Sequence, residues 1–157
     1  MRRKDKLVSD PERMKEIIQA APYMVLGLVD GGESYQVPLD FGYDGETLYF
    51  HCAREGRKLE ALKKHPQVSV LFVDYGGVYT SGKDDTACSY STRFASVMGW
   101  GRAEILDDPE AKAYAFKVLM AKIGRDDLPL RPGMLEATCV VKIRLDELVG
   151  KQSPAKQ

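Results

Sequence analysis

Apolar positions alternate along most of this chain and fall at helical spacing in only three short stretches. Asp10-Pro11-Glu12 opens the first helical stretch: a capping carboxylate, a proline at the first helical position, then an acid. Met14, Ile17, Ile18 and Ala21 make its apolar stripe, and Pro22 stops it. Residues 23–29 form an apolar run that ends in Asp30-Gly31-Gly32, a hairpin turn signal. Residues 34–43 alternate, with Tyr35, Val37, Leu39, Phe41 and Tyr43 on one face. Asp44-Gly45 is a second turn, and 48–52 reads as a third strand. A short helix follows, carrying Leu59 and Leu62 inward and ending before Pro66.

The second half repeats this grammar. Residues 68–73 are apolar on both faces, as in a central strand. Residues 74–91 are rich in Gly, Ser, Asp and Thr and read as a long loop. In 94–106, one strand face is small (Ala95, Val97, Gly99, Gly101, Ala103) and the other carries Phe94, Ser96, Met98, Trp100 and Arg102. Glycines inside a strand mark a bulge, a barrel corner or a close approach. Asp108-Pro109-Glu110 opens another helix with Ala111, Tyr114, Ala115, Val118 and Leu119 as its stripe, and Gly124 is a stop signal. Residues 139–145 alternate cleanly as a last strand, and 150–157 read as a flexible tail. The expectation is a mainly β chain: a six-stranded antiparallel barrel with flanking helices, forming one domain over 1–149.

Composition narrows the chemistry. A hydrophobic fraction of 44% and a charged fraction of 29% suit an ordinary globule. Twenty-three basic and 23 acidic residues cancel, which argues against a broad nucleic-acid surface. Cys52, Cys88 and Cys139 are odd in number and far apart, so the spacing suggests neither a zinc site nor a disulfide framework. Free thiols and the lack of a long apolar run point to a cytoplasmic protein.

Chemistry concentrates at Tyr49-Phe50-His51-Cys52-Ala53-Arg54-Glu55-Gly56-Arg57-Lys58, where a strand gives way to a helix. A helix N-terminus has unpaired N–H groups and a partial positive charge, so it holds anions. Arg54, Arg57 and Lys58 add to that charge and make phosphate a natural guest.

With this segment in view, the chain resembles the FMN-binding split-barrel superfamily that includes pyridoxamine 5′-phosphate oxidase. It looks most like the 5-nitroimidazole-resistance (Nim-type) flavoproteins. The matching pieces are the opening MRRKDK, Leu26-Gly27-Leu28-Val29, Tyr35-Gln36-Val37-Pro38-Leu39, the segment 49–58, and Ser96-Val97-Met98-Gly99-Trp100-Gly101-Arg102-Ala103-Glu104. The resemblance implies a Greek-key split barrel and a homodimer with an FMN site at each side of the subunit interface. It implies that Val37, Pro38 and Leu39 lie along the flavin ring. It implies that His51, Ala53, Arg57 and Lys58 hold the phosphate, and that Ser96 and Val97 complete the site.

The expected activity is transfer of electrons from reduced FMN to a small electron-poor acceptor, a nitroaromatic or a quinone. His51 is the candidate proton donor. No GxGxxG fingerprint occurs, so NAD(P)H as donor would bind only transiently over the flavin. The alternatives are a non-catalytic flavin-binding sensor or storage protein, and a haem- or deazaflavin-binding relative. No metal site is expected.

Overall fold

The three longer helices are set down by two local rules, and a long antiparallel sheet runs between them. The computed structural model describes residues 3–82 and 86–153. In chain order the elements are β1 (Leu7–Val8), α1 (Pro11–Ala20), β2 (Met24–Asp30), β3 (Glu33–Leu39), β4 (Gly42–Tyr43), β5 (Thr47–Cys52), α2 (Arg57–Lys64), β6 (Gln67–Thr80), β7 (Tyr90–Leu106), α3 (Pro109–Ala121), α4 (Met134–Ala137) and β8 (Cys139–Gln152). Both Asp-Pro-Glu signals start helices as expected. The Asp10 carboxylate accepts from the Glu12 N–H at 3.1 Å, and the Asp108 carboxylate accepts from the Ala111 N–H at 2.8 Å.

The strands pair antiparallel in the order β3-β2-β6-β7-β8-β5-β4, with β1 alongside β8. β3 and β4 stand at opposite ends of this order, yet only Asp40 and Phe41 separate them in the chain. The sheet therefore curls until its ends approach, and the result is a split barrel. Phe41 closes the gap from inside, its ring centroid 5.0 Å from that of Phe72 on β6. The inner face from β2 to β5 in this order packs into one apolar cluster that includes Leu26, Phe50, Val70, Phe72, Val97 and Val141. Phe41, Phe50 and Phe72 are at most 1% exposed, so each contributes about 1.5–3 kcal/mol by burial.

Eight strands are described instead of the six expected. The stretch 34–43 breaks at the Asp40–Phe41 corner into β3 and β4, and β1 adds a short strand on β8. Half of the expected loop over 74–91 is sheet, Ala87–Ser89 form a single 3-10 turn, and residues 83–85 lie outside the described residues. β6 continues to Thr80 and β7 begins at Tyr90, with a register shift between Tyr75 and Val78. This ribbon projects beyond the core: Tyr75 and Val78 are both 66% exposed. From Val73 to Thr80 no residue of β6 is buried, so the strand needs no apolar alternation there and leaves little trace in the pattern.

The expected tail also begins as strand. β8 runs to Gln152, and Gly150 is buried beneath Val8 and Met14. Residues 154–157 lie outside the described residues. The strand was hidden by a bulge. Trp100 pairs with Glu147 but Gly101 pairs with Leu145, so Asp146 is the extra residue. The small face of 94–106 finds its reason here: a Cβ on Gly101 would run into the Arg144 carbonyl.

α3 covers the outside of β5 and β8. Ala115 and Phe116 bury against Tyr49, Leu106 and Val140. The helix backbone lies so close to Gly42 that a Cβ there would sit 2.7 Å from the Leu119 amide nitrogen. The Tyr49 hydroxyl donates to the Asp44 carboxylate at 3.0 Å. Burial, then that bond, push its pKa up to about 12. Lys122 ties α3 to α1: its ammonium lies over the Phe41 ring and donates to the Ala21 carbonyl at 2.8 Å. Burial lowers its pKa, while the helix-end carbonyls of α1 keep the charge satisfied. No helix among the described residues is long and apolar enough to cross a membrane.

Candidate functional site

The third helix start is built differently. α2 begins after Gly56, whose φ of 118° is open only to glycine, and no side chain caps it. The Leu59 and Glu60 N–H groups both donate to the Gly56 carbonyl. The Arg57 and Lys58 N–H groups precede them and have no partner within the helix. Leu59, Ala61 and Leu62 bury into the barrel end and fix the axis of this short helix.

Its cations take separate positions. The Arg57 Nε donates to Asp30 at 2.7 Å, and its guanidinium lies 4.3 Å from the centre of the Tyr35 ring. Asp30 ends β2 and Tyr35 belongs to β3, so Arg57 joins the helix start to the β2–β3 hairpin. The hydrogen bond to Asp30 raises the guanidinium pKa further. Lys58 is half-buried, with its ammonium 5.4 Å from the centre of the Phe50 ring. Arg54 turns away and donates to the Glu136 carbonyl at 2.7 Å. Ala53 is exposed within the turn.

His51 is exposed, and its ring packs 5.5 Å from that of Phe116 on α3. Side chains alternate along a strand, so His51 leaves the opposite face of β5 from Phe50 and Cys52. The structure thus separates the imidazole from the Lys58 ammonium, which covers Phe50.

β3 is the end strand of the sheet order and presents one unpaired backbone edge. Val37 and Leu39 are half-buried against the core, whereas Pro38 faces outward. Proline is tolerated on an edge strand where its missing N–H faces away from the neighbour. On that ground the free edge is supplied by Gln36 and the Pro38 carbonyl, while Val37 and Leu39 bond to β2 and act as the wall.

Ser96 and Val97 stand apart. β2 and β6 lie between β3 and β7, which puts β7 about 14 Å away along the sheet at ordinary strand spacing. Ser96 faces outward, its hydroxyl 3.4 Å from the Lys151 carbonyl. Val97 is fully buried and turned into the core. A cleft of about 440 Å³ crosses the outer sheet face from Gln36 on β3 to Trp100 on β7, floored by Gly27 and Ser69. The floor is low because a Cβ on Gly27 would strike the Ser69 hydroxyl.

Sequence reasoning missed Asp30 and Tyr35, the two groups that fix Arg57. Asp30 reads only as a turn residue, and Tyr35 as one of an alternating set and the first residue of a matched segment, with no role assigned. Nothing in the spacing signals that a hairpin tip reaches a helix start 27 residues later. Phe116, the neighbour of His51, lay outside the stripe assigned to its helix.

A curled antiparallel sheet split between β3 and β4, with an uncapped basic helix start beside its edge strand, defines a split-barrel protein. The sequence profile of the pyridoxamine 5′-phosphate oxidase family matches residues 10–152, and the chain belongs to that family. A solved structure of a candidate 5-nitroimidazole antibiotic resistance protein from Bacteroides thetaiotaomicron VPI-5482 is 31% identical. The match covers 93% of this chain and 86% of that one, with a TM-score of 0.81. The flavocytochrome Anf3 from Azotobacter vinelandii is 26% identical over 99% of this chain and 72% of its own, at a TM-score of 0.84. An FAD and haem binding protein from Mycobacterium smegmatis, at 22% identity, shares the fold over 96% of this chain and 74% of its own, with a TM-score of 0.83. No curated protein sequence matches.

Proposed function

We propose that the chain binds FMN and passes electrons from the reduced cofactor to a small electron-poor acceptor, such as a nitroaromatic or a quinone. The observation that carries this reading is the start of α2, a helix N-terminus left uncapped and flanked by Arg57 and Lys58. Membership of the pyridoxamine 5′-phosphate oxidase family and the likeness to a nitroimidazole-resistance protein and a flavocytochrome support a flavin as the guest.

The residues fit such a group. A phosphate needs N–H donors and a cation. The Arg57 and Lys58 amides supply the first, and the Lys58 ammonium supplies a point charge. Arg57 is already fixed by Asp30 and Tyr35, so its role is to hold the turn and add charge. A flavin ring carries donors and acceptors along its edge, which suits the free edge at Gln36 and Pro38 beside the Val37 and Leu39 wall. The bound flavin would supply the electron transfer itself, which these side chains cannot. His51, exposed on the α3 side of β5 and apart from Lys58, keeps in this reading the role of proton donor to the acceptor and not that of a phosphate ligand, because nitro and quinone reduction consume protons.

The reading includes a symmetric homodimer. Val29, Val73, Met98 and Trp100 are 40–43% exposed on the outer sheet face, an apolar surface suited to an isologous contact. Ser96 shares that face and lies far from β3 of its own chain, so it would serve the site of a second copy. Light scattering should report a dimer; a monomer that retains FMN contradicts this part.

An absorption spectrum of the purified protein tests the cofactor, since flavin and haem bands differ. For the chemistry, the bound flavin is reduced anaerobically and mixed with a nitroaromatic or a quinone. Reoxidation faster than that of free reduced FMN supports a reductase. Reoxidation no faster with either acceptor favours a sensor or storage protein. A His51→Gln variant that keeps FMN and reacts like the parent removes the histidine from the proton step.

A further inference from the structure

Cys52 and Cys139 are 87 residues apart in sequence, yet they are direct cross-strand partners where β5 ends and β8 begins. Direct partners in an antiparallel pair point to the same face. Their Cα atoms stand about 4.5 or 5.5 Å apart, depending on the pair type. Both separations fall inside the range of about 4.4–6.8 Å that a disulfide spans. Both thiols are free. Each lies at a strand end, Cys52 before the Ala53 turn and Cys139 after Thr138, where the backbone can adjust without breaking a ladder.

The pair is also reachable. Cys52 is half-buried, and Cys139 lines a cavity of about 180 Å³ with Arg54, Lys63, Lys112, Asp107 and Thr138. Burial first, then the charge of and hydrogen bond to Cys52, push the Cys139 thiol up to about 11; Lys112 and Lys63 pull the other way. These cations have partners of their own. Arg54 donates to the Glu136 carbonyl, Lys112 to the Leu135 and Thr138 carbonyls, and Lys63 pairs with Glu60. Their pull is the smaller effect, so Cys139 stays a neutral thiol and the half-buried Cys52 is the sulfur placed to attack first, with Cys139 resolving.

We propose that Cys52 and Cys139 form a reversible dithiol–disulfide site, oxidised by hydrogen peroxide that enters through this cavity. One thiol loses its proton and attacks peroxide. The O–O bond breaks, leaving a sulfenic acid on that sulfur and releasing one water. The second sulfur displaces the sulfenic oxygen, the S–S bond forms, and a second water leaves. Two electrons and two protons pass from the thiol pair to one peroxide, which becomes two waters. A small thiol reverses the change by exchange. The bond would clamp the last residue of β5, just before the basic turn, to β8, so oxidation acts at the strand that leads to the α2 start.

The test uses full-length protein carrying Cys88→Ser, because Cys88 is exposed and is the remaining cysteine of the sequence. One equivalent of peroxide should remove two hydrogens from the intact mass and yield a linked Cys52–Cys139 peptide that dithiothreitol separates. Adding Cys52→Ser or Cys139→Ser should abolish that loss, and Cys139→Ser should leave a sulfenic acid on Cys52 that dimedone traps, with unchanged circular dichroism. An unchanged mass, oxygen addition without a link, or a link only between chains would overturn the proposal.

Discussion

α1 and α3 begin in one way and α2 in another. Asp10 and Asp108 bring their own carboxylates to the N–H groups of their helices, each followed by a proline and an acid. In each, the proline has no N–H to satisfy and the cap takes one of the N–H groups that follow. α2 has glycine at the same position, no capping side chain, and cations where the others have acids. A helix end left with free donors and surplus positive charge is a cost to the fold alone. On the proposed reading, the difference separates helix starts that serve stability from one that serves an external anion.

The comparison can be broken at either end. The largest effect is expected at Lys58. Lys58→Ala removes one charged contact to the phosphate, worth about 1.5–3 kcal/mol. That is about ten- to a hundredfold in FMN affinity by fluorescence titration. Thermal stability should hardly change, because the ammonium rests on one aromatic ring.

The caps should behave the opposite way. Asp10→Ala or Asp108→Ala should each cost about 1 kcal/mol of stability. For a chain of this length that lowers the melting temperature by about 2–4 °C, with FMN affinity unchanged. Equal effects of the three variants on binding would erase the distinction.

Arg57→Ala should give the smallest change. Its pair with Asp30 is solvent-exposed, with side-chain exposures of 57% and 26%. Such pairs contribute about 0–1 kcal/mol. A small loss of affinity in titration, below that of Lys58→Ala, would fit a group that fixes the turn. A larger loss would mean that the guanidinium leaves Asp30 to hold the phosphate.

How much of this was legible in the sequence follows from where burial acts. The Asp-Pro-Glu caps, the β2–β3 hairpin turn and the small face of β7 are local or periodic features, and the structure keeps them. The extension of β6 to Thr80 failed to register because none of its residues from Val73 onward is buried. The end of β8 failed because the bulge at Asp146 moves its alternation by one residue. For the site, the basic helix start was readable as a run of neighbours. The anchoring of Arg57 by Asp30 and Tyr35 was not, and neither was the pairing of Cys52 with Cys139, since both depend on sheet order. The same applies to His51. Sequence proximity placed it beside the cations, but strand alternation sends it to the α3 side.

The most direct test of the central claim compares two ligands that differ only at the phosphate. Purified apoprotein is titrated with FMN and with riboflavin under the same conditions. If the α2 start is an anion site, FMN binds at least about tenfold more tightly than riboflavin, and Lys58→Ala reduces the gap. Equal affinity for the two ligands in the parent protein would contradict the account.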